Sequence, residues 1–257
     1  MTDKHLSTQF DNELSGISTR VLEMGGLVES QVAQAVYALS TFNAEVATQV
    51  LKTEERVNMM EVEIDSDLSS IIARRQPTAR DLRLLIAVSK TIANLERIGD
   101  EAARIARTVQ RLLSSGMSSR LRLPVGDLAF ECELATKQLR KALDAFARLD
   151  VEAAIEVLRH DDQIDQEFDG LMRKLITYMM EDPRTISSAI DLVFVAKAIE
   201  RVGDHAKNLA DARRNGARVF HHVGDELAHQ AVELLVDQVV LFEHRPGVRR
   251  EGDRACR

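Results

Sequence analysis

The hexapeptide Leu-Glu-Arg-Ile-Gly-Asp at residues 95–100 returns in nearly the same form as Ile-Glu-Arg-Val-Gly-Asp at residues 199–204. A proline precedes each copy by about the same distance, Pro77 before the first and Pro183 before the second. Self-similarity at a fixed separation is typical of a duplicated structural unit. The sequence therefore predicts two copies of one module in a chain of 257 residues.

Each copy has the apolar periodicity of long helices, because apolar residues recur at spacings of three and four. The chain contains only 4 prolines and 12 glycines, too few for the many tight turns of a β-sandwich or β-barrel. Long helices hide their apolar faces by packing lengthwise. We predict an all-α fold of two tandem three-helix bundles related by internal pseudo-symmetry, with six long antiparallel helices. The second, third, fifth and sixth helices are predicted near 44–75, 79–114, 151–181 and 186–213. The fourth is expected after Pro124, with an apolar face formed by Leu128, Leu134, Leu139, Leu143 and Phe146.

The domain organisation follows from this repeat. Residues 1–116 are predicted as the first three-helix bundle and residues 122–216 as the second, with the serine-rich segment 114–119 as a linker between them. Gly216 is expected to end the sixth helix. Residues 217–257 hold an amphipathic segment and a basic tail, which we expect to be disordered.

Several residues predict local features of these helices. Asn43, Thr78 and Asp150 stand where N-terminal caps are needed, and their side-chain oxygens can accept hydrogen bonds from free backbone amides. Gly25 and Gly26 interrupt the first helix and predict a bend or a close helix contact there. Gly99 lies on the apolar side of the third helix, where its missing side chain would let another helix approach.

Charge and cysteine content limit the possible partners and compartments. The chain has 41 acidic and 34 Lys or Arg residues, a net charge of −7 that disfavours nucleic-acid binding. Cys132 and Cys256 are far apart in sequence and suit a reducing compartment. Residues 1–7 lack the apolar core of a signal peptide, and no stretch approaches the roughly 20 apolar residues of a membrane span. We expect a cytoplasmic protein that reaches membranes only through partners.

The doubled motif also places two acids one helical turn apart in each copy. Glu96 and Asp100 share one outer face of the third helix, and Glu200 and Asp204 share one face of the sixth. Like charges at this spacing cost a few tenths of a kcal/mol, which a bound hard cation would offset. The alternative is a solvated charged face, in which Asp100 pairs with Arg104 while Lys197 and Lys207 flank Glu200 and Asp204.

A second set of acids lies on the second helix of each repeat and could complete a four-oxygen site. Such a site suits Mg²⁺, Mn²⁺, Fe or Ca²⁺ better than a Cys/His zinc site does. Two registers relate the repeats, and the sequence leaves both open: Glu54 and Asn58 with Asp161 and Asp165, or Glu61 and Asp65 with Asp165 and Asp169. With Asn58 in place of an acid, the first site is expected to be the weaker.

Five segments together resemble the PhoU family of phosphate-signalling proteins. Residues 57–65, 74–83 and 89–100 are similar to the first PhoU repeat, and residues 176–185 and 198–204 are similar to the second. The resemblance covers about residues 5–212 and is specific, because two doubled motifs occur in order. It implies a fold of six helices in two units and, in many members, a homodimer.

The resemblance also implies a function. It suggests a cytosolic adaptor between the phosphate ABC transporter, through its ATPase subunit, and the sensor histidine kinase of the phosphate regulon. Such an adaptor represses the phosphate-starvation response and limits phosphate uptake, and is not an enzyme. The resemblance further implies metal ions, among Fe, Mn, Mg, Zn or Ca, on paired acid motifs. By position the implied ligands are Glu54, Asn58, Glu96 and Asp100 in one repeat, and Asp161, Asp165, Glu200 and Asp204 in the other.

Two other functions compete with this interpretation. A ferritin-like metal oxidase in a helical bundle needs two inward-facing Glu-x-x-His motifs, and the chain offers one, at Glu226 and His229. His205, directly after Asp204, is expected to lie at the surface and not to be a ligand. A purely structural helical scaffold is the third possibility.

Overall fold

A computed structural model describes residues 3–77, 79–114, 124–148, 150–159 and 162–217. These residues form seven α-helices and a 3₁₀ turn at Pro183–Thr185. The helices are α1 (Asp3–Thr41), α2 (Ala44–Arg75), α3 (Ala79–Ser114), α4 (Val125–Ala147), α5 (Val151–Arg159), α6 (Asp162–Glu181) and α7 (Ile186–Ala217). The all-α prediction is confirmed.

The helices pack as two bundles with the predicted tandem organisation. Helices α1, α2 and α3 contact one another in the first bundle, and α4 to α7 form the second. The helix predicted near 151–181 is present as α5 and α6. Helix α7 is described through Ala217, one residue beyond Gly216, where the sixth helix was predicted to end.

Side-chain caps fix the ends of two helices as predicted. The Asn43 Oδ1 atom accepts hydrogen bonds from the backbone amides of Glu45 at 2.9 Å and Val46 at 3.1 Å. The Asp150 Oδ1 atom accepts one from the amide of Ala153 at 3.0 Å. Gln76 closes α2 in a left-handed conformation, with a φ of 45°, directly before Pro77. Thr78, the linker residues 115–119 and the segment 218–257 lie outside the described residues.

The long helices are amphipathic over the residues whose burial the structure describes. Helix α2, for example, buries Val50, Val57, Ile64 and Leu68 on one face and exposes charged residues on the others. In the part of the chain that the structure describes, no helix has the length and apolar character needed to cross a bilayer.

The two bundles share one continuous core. Helix α1 packs against α4, and α3 packs against α7. A Cβ atom at Gly25 would lie 2.6 Å from the Cδ2 atom of Leu143, so glycine permits the close approach of α1 and α4. This confirms the predicted close contact at Gly25. Buried apolar side chains of both bundles belong to a single cluster.

Helices α3 and α7 run antiparallel across the boundary between the bundles. The Arg111 Nε atom lies 3.5 Å from an Asp191 carboxylate oxygen, near the end of α3 and the start of α7. At the other end of the contact, the His205 Nδ1 atom lies 3.2 Å from the Asn94 Oδ1 atom. The third helix of each repeat thus meets its counterpart, and the doubled hexapeptides lie at the same level.

The second bundle contains a buried carboxylate in its core. Glu131 is only 1% exposed and lies on the inner face of α4, beside Leu128 and Ala135. Neither of its carboxylate oxygens has a hydrogen-bond partner among the described residues. Burial, together with the negative charges of Glu200 and Glu167, raises the pKa of Glu131 to about 8. The protonated form is therefore the one that suits the folded protein.

We predict that Glu131 makes stability depend on pH. Its folded-state pKa lies above the ordinary value of 4.5, so its favourable contribution is complete below that value and is lost as pH rises toward about 8. We compare the free energies of unfolding of the Glu131→Gln variant and the unmodified protein, measured by urea denaturation in a chelating buffer. The value of the variant minus that of the unmodified protein should increase by roughly 2 to 5 kcal/mol between pH 5 and pH 8.5.

The matched control is Glu133→Gln, on the same helix but exposed. It should follow the unmodified protein within about 0.5 kcal/mol at every pH. A stability difference between Glu131→Gln and the unmodified protein that does not change with pH would contradict the prediction.

Candidate metal centre

Three carboxylates of the first bundle meet where α2 packs against α3. Glu54 of α2 and Glu96 and Asp100 of α3 each offer an oxygen atom, and the three atoms lie within 4.8 Å of one another. Glu54 is buried, Glu96 half-buried and Asp100 exposed. The site is therefore deep at one side and open to solvent at the other.

Gly99 explains how the carboxylate of Glu54 can lie against α3. A Cβ atom at this position would come 2.8 Å from the Glu54 Oε2 atom. The buried amide of Gln31, from α1, holds the same oxygen: its Nε2 atom donates a hydrogen bond to Glu54 Oε2 at 2.6 Å and another to the Gly99 carbonyl at 3.3 Å. All three helices of the first bundle thus fix the position of one carboxylate.

The cluster is electrostatically costly as it stands. Burial raises the pKa of Glu54, and the charges of Asp100 and Glu96 raise it further, against the lowering effect of the Gln31 hydrogen bond. Burial likewise raises the pKa of Glu96, followed by the charges of Asp100 and Glu61. The second oxygen of Glu54, Oε1, is buried with no hydrogen-bond partner among the described residues.

These residues fit a bound cation. Carboxylate oxygens are the ligands that Mg²⁺, Mn²⁺ and Ca²⁺ prefer, and iron accepts them as well. A cation would neutralise the mutual repulsion of the three acids and would give the buried oxygen of Glu54 a partner. The set contains no histidine or cysteine, so it suits zinc less well.

The geometry distinguishes between the two registers that the sequence left open in the first repeat. The three-acid cluster contains Glu54 and neither Glu61 nor Asp65. The charge of Glu61 raises the pKa of Glu96, and the Asp65 carboxylate lies 3.5 Å from the Ser89 hydroxyl. Asn58 is exposed on α2, one turn beyond Glu54. Its role as a fourth ligand stays a prediction.

The corresponding residues of the second repeat do not form such a cluster in the described part of the chain. Asp165 and Asp204 are exposed, and the half-buried Glu200 pairs with Lys197, whose Nζ atom lies 2.7 Å from Glu200 Oε2. This pair was expected from the solvated-face alternative. Asp161 lies outside the described residues. The second metal site therefore stays a prediction.

A cleft of about 260 Å³ adjoins the first cluster, between α3 and α7. Glu96 and Asp100 line it together with Glu101, His205 and three arginines, namely Arg97, Arg104 and Arg201. The prediction that His205 lies at the surface was wrong, because this side chain is only 7% exposed. Burial lowers the pKa of His205 to about 4, and the charges of Arg97 and Arg201 act in the same direction.

Sequence reasoning missed two buried acids, Glu101 and Glu131. Glu101 is 3% exposed, and its carboxylate lies 3.1 Å from the Arg104 guanidinium, which the sequence had assigned to Asp100, and 3.0 Å from that of Arg201. Glu131 interrupts the apolar spacing of α4, and that signal could have identified it. Glu101 gave no such signal, because it is buried only where α7 covers a second face of α3.

The chain is similar to known proteins over most of its length. The PhoU domain matches residues 21–109 and again residues 131–212, one match in each bundle. A Burkholderia protein named phosphate-specific transport system accessory protein PhoU homolog is 45% identical over 90% of this chain and all of its own length. The Escherichia coli phosphate-specific transport system accessory protein PhoU is 42% identical over 88% of this chain and 90% of its own length.

Solved structures agree in fold. The crystal structure of PhoU from Pseudomonas aeruginosa matches with a TM-score of 0.75 and 42% identity, over 81% of this chain and 99% of that one. The phosphate transport system regulatory protein PhoU from Streptococcus pneumoniae matches with a TM-score of 0.72 and 26% identity, over 79% and 94% of the two chains. With a matching domain in each bundle and relatives that align over nearly their full length, the chain belongs to the PhoU family.

Proposed function

We propose that this protein is a non-enzymatic accessory protein of a phosphate-specific transport system. The observation that carries the proposal is the match of both repeats to relatives named as accessory proteins of such a system. The long helices support it physically, because they offer broad and rigid faces to partner proteins. In this role the protein is cytoplasmic and reaches the membrane through its partners.

The finer proposal is that of a negative regulator. The protein would link the ATPase subunit of the phosphate ABC transporter to the sensor histidine kinase of the phosphate regulon, repressing the starvation response and limiting uptake when phosphate is plentiful. The name of the Streptococcus pneumoniae relative, a phosphate transport system regulatory protein, supports a regulatory role. A homodimer would present each of these faces twice.

Co-purification with membranes tests the accessory role. Tagged full-length protein should recover the transporter's ATPase subunit and the kinase from membranes of phosphate-fed cells, because an adaptor contacts both. The recovered proteins are identified by mass spectrometry, at low and at high phosphate. Membranes from cells lacking the transporter genes are the matched control, and equal recovery of the kinase from those membranes would argue against a linking role.

We further propose that a divalent or iron-type metal ion binds at Glu54, Glu96 and Asp100, with Asn58 as a fourth ligand. Asp161, Asp165, Glu200 and Asp204 are the proposed ligands of a second site. When bound, the metal would supply positive charge at the junction of α2 and α3. Gln31 and Gly99 would keep the Glu54 carboxylate in place for it.

Manganese binding tests this set of ligands. The Glu54→Gln variant should bind Mn²⁺ at least about tenfold more weakly at the first site than the unmodified protein, because it loses the charge of a fixed, buried ligand. The Asp204→Asn variant should weaken the second site in the same titration, in which free Mn²⁺ is measured by electron paramagnetic resonance.

Glu55→Gln is the matched control, since Glu55 is the exposed neighbour of Glu54 on α2 and lies outside the cluster. Its Mn²⁺ affinity should equal that of the unmodified protein. Equal Mn²⁺ binding by the Glu54→Gln and Glu55→Gln variants would mean that the ligands are wrongly assigned.

A further inference from the structure

The cleft between α3 and α7 has an unequal distribution of charge. Its three arginines come from both repeats, since Arg97 and Arg201 occupy the same position in the doubled hexapeptide. The Glu101 carboxylate serves two of them, with distances of 3.1 Å to Arg104 and 3.0 Å to Arg201. One negative charge is thus shared by two positive ones.

Arg97 has no equivalent of this pairing. Glu101 comes directly after the first hexapeptide, and His205 comes directly after the second, so the two positions are equivalent. The antiparallel packing brings Arg201 toward Glu101 and Arg97 toward His205. A histidine carries no negative charge in either protonation state, so it cannot neutralise a guanidinium. Among the described residues, no carboxylate lies within salt-bridge distance of Arg97. The charge of Arg97 lowers the pKa of Glu96, but from a greater distance.

Part of the lining of the cleft belongs to the metal cluster. Glu96 and Asp100 belong both to the cluster and to the lining of the cleft. A cation held there would share the cleft with the guanidinium groups. Mg²⁺ is commonly bound by one or two carboxylates together with the phosphate oxygens of a ligand. Arginine binds phosphate through two parallel hydrogen bonds in a fixed geometry.

The size of the cleft favours a small ligand. Its volume of about 260 Å³ is below the range of roughly 300 to 1,000 Å³ that is usual for pockets of drug-sized molecules. Its lining is almost wholly polar and charged, which suits an ion rather than an apolar molecule. With a divalent cation bound, the three acids and the metal together keep one negative charge, while the three arginines and Glu101 together contribute two positive charges. The cleft therefore retains one excess positive charge.

We propose that the α3–α7 cleft binds a phosphate-type oxyanion between a metal ion on Glu54, Glu96 and Asp100 and the guanidinium group of Arg97, with Arg104 and Arg201 beside it. The inference rests on the metal binding proposed above. It gives the junction of the two bundles a ligand, so that phosphate and metal would stabilise each other's binding and the contact between α3 and α7.

Equilibrium dialysis of the full-length protein against radiolabelled orthophosphate tests this site. Binding should be saturable in Mn²⁺ and at least about tenfold weaker in a chelating buffer, since the anion then loses one of its two charged partners. The Arg97→Gln variant should lose about tenfold or more in phosphate affinity while binding Mn²⁺ as before, and Arg97→Lys should recover part of that loss.

Arg83→Gln is the matched control, an exposed arginine of α3 outside the cleft. It should bind phosphate like the unmodified protein. Equal phosphate affinity in the Arg97→Gln and Arg83→Gln variants, sulfate binding as strong as phosphate binding, or no saturable binding at millimolar phosphate would each overturn the inference. Tighter, Arg97-dependent binding of ATP would identify a nucleotide as the source of the phosphate group, whereas binding of orthophosphate alone would identify the free ion.

The two proposals fail in different ways. Protein that binds Mn²⁺ but not phosphate refutes the anion site and leaves the metal site intact. Protein that binds no Mn²⁺ refutes both the metal site and the bridged anion. The accessory role is decided by the membrane experiment and does not depend on either result.

Discussion

The antiparallel contact of α3 with α7 is the constraint on which the rest of this structure depends. It joins the bundles by bringing the third helix of each repeat against its counterpart. Glu101 and His205 are both buried and contact Arg201 and Asn94 across this interface. It also places the arginines of both hexapeptides in one cleft, beside the acids of the first repeat. The junction of the two bundles and the charged cleft are therefore consequences of one interface.

Periodicity made most of the fold predictable. The spacing of apolar residues identifies the face that each helix turns toward its own bundle, and caps such as Asn43 and Asp150 mark helix starts through local hydrogen bonds. Helices α3 and α7, however, are covered on two faces. A single apolar stripe cannot show the second face, especially when polar residues occupy it. The burial of Glu101 and the error at His205 have this common origin.

The candidate site was predictable in part for a related reason. Helical spacing alone places Glu96 and Asp100 together, because residues four apart share a face. The choice between Glu54 and Glu61 depends on how α2 is positioned along α3, which is a tertiary property. Gly99 and Gln31 decide it, since one admits the Glu54 carboxylate and the other holds it. Both residues can be read from the sequence, but their contact with the Glu54 carboxylate can be seen only in the folded structure.

Contact between like elements of a repeat also bears on how such a chain can arise. An interface in which a helix meets its own counterpart in antiparallel fashion is isologous, the kind that joins two identical subunits about a twofold axis. A single copy of the module would carry both sides of this interface and could close it by self-association. Once two copies are joined in one chain, their sequences no longer have to be identical. The two repeats differ at the position after the hexapeptide, which is Glu101 in the first repeat and His205 in the second. Two identical modules in a homodimer could not differ in this way.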